Sequence, residues 1–270
     1  MNPILQSGGT DRTSKPAKRT RNLYNPSAKT PFVLSRSRLE NFIRCPRCFY
    51  LDRRLGIDQP PIFPYTLNSA VDVLFKKEFD IYRAKRKPHP LMEQYGINAI
   101  PFNHKDLEIW RDPFKGIRYH DTGTNFILTG GIDDIWENSS QELIIVDYKS
   151  TSTDGEVSLE GAFKESYKRQ IEIYQWLFRK NGFQISNDAY FVYANALKSE
   201  KGFFDQLKFK TIILKHIGDD SWVDNSVSEA HRCLSSNEAP LASKNCSFCN
   251  YRAAAREAES QTPEKQGLAL

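Results

Sequence analysis

The residues Leu143-Ile144-Ile145-Val146 form an unbroken apolar run that ends on Asp147-Tyr148-Lys149. An apolar run without alternation belongs to a strand covered on both faces, so this chain must supply a layer on each side of it. Residues 126–136 and 142–149 are rich in β-branched and aromatic side chains, and Glu137-Asn138-Ser139-Ser140-Gln141 between them is turn-forming. The pair predicts a β-hairpin. Alternation along a strand puts Asp147 and Lys149 on one face. With the turn centred near Ser139-Ser140, Asp133 falls opposite Asp147, where Cβ atoms stand about 4.5–5.5 Å apart. Two carboxylates that close repel unless a cation lies between them. Hard divalent cations such as Mg²⁺ take oxygen ligands and keep several waters. A lysine beside such an ion can orient a water or stabilise charge growing on a phosphate. The chemistry this arrangement suits is metal-dependent hydrolysis of a phosphodiester. The plain alternative is an ordinary hairpin with a surface ion pair between Asp147 and Lys149.

The flanking segments supply candidate layers. Thr66 to Lys85 reads as a helix with Val71, Leu74, Phe75, Phe79 and Tyr82 at core spacing. A second helix is expected from about Leu159 to Lys180, closed by Asn181-Gly182. On it Gln170 and Tyr174 stand at i and i+4 and share a face, while Lys164, Lys168, Arg169 and Arg179 make it basic, which suits a phosphate backbone. Ala189–Tyr193 and Leu207–Ile213 read as strands, the latter with the alternation of an edge strand. Ser221–Leu234 reads as an amphipathic helix in which Cys233 is a small core residue. Ser37 followed by Glu40 predicts a capping box for a helix over residues 35–44. The expected fold is α/β, a central mixed sheet flanked by helices.

Residues 1–30 hold Gly, Ser, Thr, Pro, Lys and Arg and read as a disordered basic arm. Residues 31–252 read as one domain, with an irregular insertion over 86–120 that holds Pro88, Pro90, Pro101 and Pro113. In that insertion His89 and His104 are expected at the surface, and Trp110 is available to stack on a base. Residues 253–270 read as a flexible polar tail. The net charge of +5 is compatible with a phosphate-rich partner, although part of the excess lies in the arm. No run of about 18 apolar residues occurs and no apolar signal core opens the sequence, so a cytoplasmic protein without a membrane span is expected. Four of the five cysteines form two Cys-x-x-Cys pairs, Cys45/Cys48 and Cys246/Cys249. Outside an oxidising compartment such pairs favour ligation of a metal over disulfides or free thiols. Four thiolates suit Zn²⁺ or a [4Fe–4S] cluster, and ligand softness does not choose between them. Either way, a lobe over 45–48 and 246–249 would join both ends of the fold.

Taken in order, these segments resemble the PD-(D/E)xK nucleases of the RecB type, and among them the CRISPR-associated RecB-like exonucleases with a C-terminal cysteine cluster. The matching segments are Gly130-Gly131-Ile132-Asp133, Asp147-Tyr148-Lys149, Gln170-Ile171-Glu172-Ile173-Tyr174 and Cys45-Pro46-Arg47-Cys48-Phe49-Tyr50-Leu51. The resemblance implies a restriction-endonuclease-like core and a Mg²⁺- or Mn²⁺-dependent deoxyribonuclease, an exonuclease of repair, recombination or defence. Its DNA would be single-stranded or duplex ends. No Gly-x-x-x-x-Gly-Lys-Ser/Thr loop occurs, so unwinding would come from a helicase or repair-complex partner. By resemblance Asp133, Asp147 and the Tyr148 carbonyl bind the ion, Lys149 positions the water, and Gln170 and Tyr174 contact substrate or support the site. The plain reading of that last pair is a core tyrosine and an exposed glutamine. Two departures stand out. Asn68-Ser69-Ala70-Val71-Asp72 occupies the place of a Gly-x-x-x-His motif, so Asp72 is either a further metal ligand or a solvent-exposed helix residue. Ala255 occupies the place of a third C-terminal cysteine, which Cys48 would replace. The altered motif also leaves room for a catalytically silent nucleic-acid-binding or scaffold module of a repair complex. A third reading is a nuclease directed at RNA.

Overall fold

The apolar run of the sequence becomes β6, the middle strand of the larger of two sheets in the computed structural model, which describes residues 18–60 and 66–261. The elements in order are β1 (Phe32–Ser35), α1 (Arg36–Arg44), α2 (Pro46–Arg53), α3 (Thr66–Lys85), α4 (Pro90–Gln94), β2 (Ala99–Pro101), α5 (Leu107–Arg111) and β3 (Ile117–Asp121). There follow β4 (Phe126–Gly130), β5 (Asp134–Asn138), β6 (Leu143–Thr151), α6 (Ala162–Lys180), β7 (Asp188–Ala196), β8 (Phe209–Ile217), α7 (Val223–Ser235) and α8 (Ser247–Gln261). The five-stranded sheet runs β2-β5-β6-β7-β8 and the three-stranded one β1-β4-β3. The larger sheet is mixed. β5 and β6 are antiparallel, and β6 and β7 parallel. A parallel pair needs a crossover, and α6 supplies it.

Strand alternation divides β6 between two cores. Ile144, Val146 and Tyr148 pack with Phe75 and Phe79 of α3, while Leu143 and Ile145 pack with Ile171, Ile173 and Leu177 of α6 and with the smaller sheet. The two-sided cover expected for the run is present. The fold is thus α/β with mixed sheets flanked by helices, as expected of a restriction-endonuclease-like core. No helix among the described residues is long and apolar enough to cross a membrane.

Several expectations need correction. The segment 126–136 is not one strand. β4 ends at Gly130 and β5 begins at Asp134, and the two belong to different sheets. At the break, a Cβ on Gly130 would lie 2.6 Å from the Tyr174 ring, so only glycine lets that ring approach. Residues 86–120 are not irregular: they hold α4, β2, α5 and part of β3. Their prolines sit where proline is tolerated, Pro90 in the first turn of α4 and Pro101 in an edge strand. His89 is buried, stacked 4.2 Å from Phe79 and bonded to Glu78. Trp110 is also buried, against His104, Phe178 and Phe183, so it offers no face to a base. The capping box at Ser37 does not form. Ser35 is the N-cap of α1, and Glu40 is taken by Arg169 of α6 in a two-point ion pair at 2.7 and 2.9 Å. Leu74, expected in the core, is exposed.

The ends also differ. Residues 1–17 of the expected arm lie outside the described residues, but residues 18–30 lie against the body. Arg19 bonds Gly56 through its backbone and Asp52 through its side chain, and the Tyr24 ring packs on Phe32 and Phe126. Residues 253–261 of the expected tail continue α8, and 262–270 lie outside the described residues.

Candidate active site

Asp133 immediately precedes β5. The register that pairs Asp134 with Val146 carries it opposite Asp147, as the hairpin geometry requires. Its Oδ2 accepts the Tyr148 backbone N–H at 2.8 Å, which ties the loop end to the strand. Asp147 is fully buried. One of its oxygens accepts from Gln170 Nε2 at 2.8 Å. The other lies against the Lys149 ammonium and has no hydrogen-bond donor otherwise among the described residues. Burial pushes the Asp147 carboxyl well above the ordinary range; the Lys149 charge opposes this and Asp133 adds to it. Burial acts to lower Lys149, yet Asp147 and Asp133 leave its ammonium held above the ordinary value.

The helices complete the surroundings. Gln170 also reaches the Tyr174 hydroxyl at 3.3 Å, so the i, i+4 pair on α6 works as a unit. Gln170 is not the exposed residue of the plain reading. Tyr174 is buried, and so satisfies the core reading while touching the site. On α3, Asp72 faces Asp133 closely enough that burial and that like charge together raise its carboxyl. Lys76, one turn on, pairs with Asp72 at 2.8 Å and reaches Asp133 at 3.8 Å. Tyr148 itself turns its ring to the opposite face, where its hydroxyl donates to Asp134 at 2.6 Å.

Asp72, Asp133, Asp147, Lys149, Gln170 and Tyr174 are therefore brought to one place. Of the basic residues on α6, Arg169 is spent on Glu40, Arg179 on Asp220 and Lys168 on Glu165, leaving Lys164 near Lys149. Sequence reasoning missed Lys76, whose i+4 spacing from Asp72 was a usable signal. It also missed Asp134, which the Asp133-Asp134 doublet displays without showing that its side chains diverge. Arg36, described below, carries no sequence signal.

A second cluster lies at the start of α2 and the start of α8. Cys45, Cys48, Cys246 and Cys249 are buried, and their sulfurs all lie within 4.8 Å of one another. Individual Sγ–Sγ separations are 3.5 Å for Cys48–Cys246 and Cys48–Cys249 and 3.8 Å for Cys45–Cys249. Burial opposes ionisation of Cys45, but hydrogen bonds from the Ser243 and Cys48 backbone and from the other thiols bring it below the ordinary thiol range. Cys233 stays apart, half-buried and directed at the Pro46 carbonyl.

A family model described as the PD-(D/E)XK nuclease superfamily matches residues 74–254. That span includes Asp133, Asp147, Lys149, Gln170, Tyr174 and the second cysteine pair, and leaves out Asp72, Cys45 and Cys48. Among solved structures, one titled "Crystal structure of SSO0001" is similar at 14% identity over 87% of each chain, with a TM-score of 0.33. No curated protein matches.

Proposed function

Because this chain belongs to the PD-(D/E)XK nuclease superfamily, we propose that it is a Mg²⁺- or Mn²⁺-dependent deoxyribonuclease, RecB-like and exonucleolytic, acting in repair, recombination or defence. The observation that carries the reading is the meeting of Asp133, Asp147 and Lys149 at the end of a strand buried on both faces. The donor set suits a hard cation. Asp147 keeps a buried oxygen that meets only the Lys149 ammonium among the described residues, and Asp133 and Asp72 stand nearby. In this reading Asp133, Asp147 and the Tyr148 carbonyl hold the ion, with Asp72 as a further carboxylate. Bound there, a divalent cation would neutralise phosphate charge and acidify a water. Lys149 orients that water and stabilises the charge that develops on phosphate. Gln170 fixes the Asp147 carboxylate, and Tyr174 supports Gln170. Single- and double-stranded DNA incubated with Mn²⁺ test this. Replacing Lys149 by Ala should cost about a hundredfold or more in rate. Wild type that cuts no faster than the variant refutes the assignment.

The cysteine cluster we assign to one Zn²⁺. Thiolates around a single tetrahedral ion at about 2.3 Å stand about 3.8 Å apart, close to the spacings here. A cubane, whose four thiolates each hold a different iron, needs them wider. Anaerobically purified protein should be colourless and contain zinc; a brown, iron-containing sample overturns the assignment.

One observation favours the silent scaffold reading. Lys76 sits on Asp72 and Asp133 as Lys149 sits on Asp147, so the acids are already paired with cations. DNA binding unchanged by EDTA, without cleavage, would establish it.

A further inference from the structure

Arg36, the first residue of α1, is half-buried beside the site, hydrogen-bonded to Tyr174 and within reach of the Asp147 and Glu40 charges without pairing directly with either. Its Nε is buried without a hydrogen-bond acceptor, and it forms no ion pair with a carboxylate among the described residues. Its natural partner, Glu40 one turn along, is held by Arg169 at two points. The guanidinium instead lies 5.9 Å over the Tyr174 ring and faces Asp147 beyond it. A half-buried guanidinium that no carboxylate holds directly keeps donors for an anion, and its fork matches a phosphate at two points.

The surroundings say where that anion would run. Phe163, Tyr167, Gln170 and Tyr174 form one ridge of α6, spaced 4, 3 and 4 residues apart and about 16 Å long at 1.5 Å per residue. Gln170, in its middle, holds Asp147. Arg36 lies at the Tyr174 end. At the other end Lys164 bonds the Tyr193 hydroxyl at 3.1 Å and lies 5.2 Å over the Tyr167 ring, with Lys149 4.7 Å over the same ring. Cations therefore stand on both sides of the buried carboxylate, in line with one helix ridge.

We propose that Arg36 binds an internal phosphodiester of the nucleic-acid strand, the phosphate next to the scissile one on the Tyr174 side. This rests on the nuclease reading for its register but not for its chemistry. Fluorescence anisotropy with a labelled single-stranded oligodeoxynucleotide in EDTA tests it without turnover. Arg36→Gln should weaken binding about ten- to hundredfold and reduce the slope of log affinity against log salt by about 0.7. Arg232→Gln, an exposed change on α7, should leave both unchanged. An Arg36→Gln protein that is folded but keeps the wild-type slope overturns the proposal. If Arg36→Gln does not fold, Arg36→Lys decides. A retained slope with several-fold weaker binding supports two-point recognition, and wild-type affinity overturns it. Oligonucleotides with and without a terminal phosphate should lose the same amount, and a loss confined to the terminal phosphate overturns the internal placement. Wild type that binds with this slope but never cuts would remove the nuclease reading and leave the phosphate site. Cleavage by Arg36→Gln at the wild-type KM would do the reverse.

Discussion

Asp134 and Asp147 are both fully buried, one residue out of register on neighbouring strands, and they face opposite cores. Asp134 is saturated. One oxygen receives Arg83 and Arg111, the other the Tyr148 hydroxyl, and the two arginines are braced in turn by Asp80. Asp147 has less: one amide on one oxygen, and on the other the Lys149 ammonium with no further donor among the described residues. The fold can evidently satisfy a buried carboxylate completely, and does so on the α3 face. Where it stops short, on the α6 face, the open capacity is the one that the proposed function gives to a cation.

The contrast can be broken most directly by stability. Asp134→Ala leaves two arginines buried without their anion and should cost about 3–5 kcal/mol. Asp147→Asn removes a charge its site holds poorly and should cost less than about 1 kcal/mol while abolishing cleavage. Urea midpoints of the two variants check this, and equal losses would erase the distinction. If incompleteness marks an ion site, the thiolates should behave likewise. Stripping the metal by chelation, or replacing Cys48 by Ser, should lower stability by about 3 kcal/mol, read as a lower melting temperature that added Zn²⁺ restores only in the unmutated protein. Tyr148→Phe removes one donor from Asp134 and should cost about 1–2 kcal/mol, with little change in the Mn²⁺ concentration needed for cleavage. A large change there would join the two faces into one functional unit.

The smallest effect concerns pH. Burial would raise the Asp80 carboxyl, but Arg111 and Arg83 hold it below the ordinary range. A depressed carboxylate contributes stability that is present above its unfolded value, near 4, and is lost as pH falls through the folded one. Asp80 is 40% exposed, so screening limits this to on the order of 0.5 kcal/mol. Asp80→Asn should flatten the acid side of the stability curve by that amount, and an unchanged curve would show that the brace is idle.

What could be read from the sequence was whatever repeats at short range. The period of β6, the register of the hairpin and the i, i+4 pair on α6 follow from chain geometry, and they placed Asp133, Asp147, Lys149, Gln170 and Tyr174 together. Long-range partners were not legible. Glu40 looked like a cap because its local spacing allows one, but Arg169, distant in sequence, offers it a stronger charge-assisted pair. The break after Gly130 was hidden because its cause, the Tyr174 ring, arrives from another helix. His89 and Trp110 were misplaced because prolines nearby suggested a surface lobe, whereas those prolines begin a short helix and sit in an edge strand.

The two cysteine pairs stand 204 residues apart, measured from Cys45 to Cys249. During synthesis, the helix carrying the first pair emerges long before the second pair exists. In the proposed Zn²⁺ assignment coordination is completed only after every strand of the sheet has been translated, and a prematurely terminated product would lack this fastening however well its strands had paired. On that assignment the knot of sulfurs would act as a timer on assembly as well as a brace on the finished molecule.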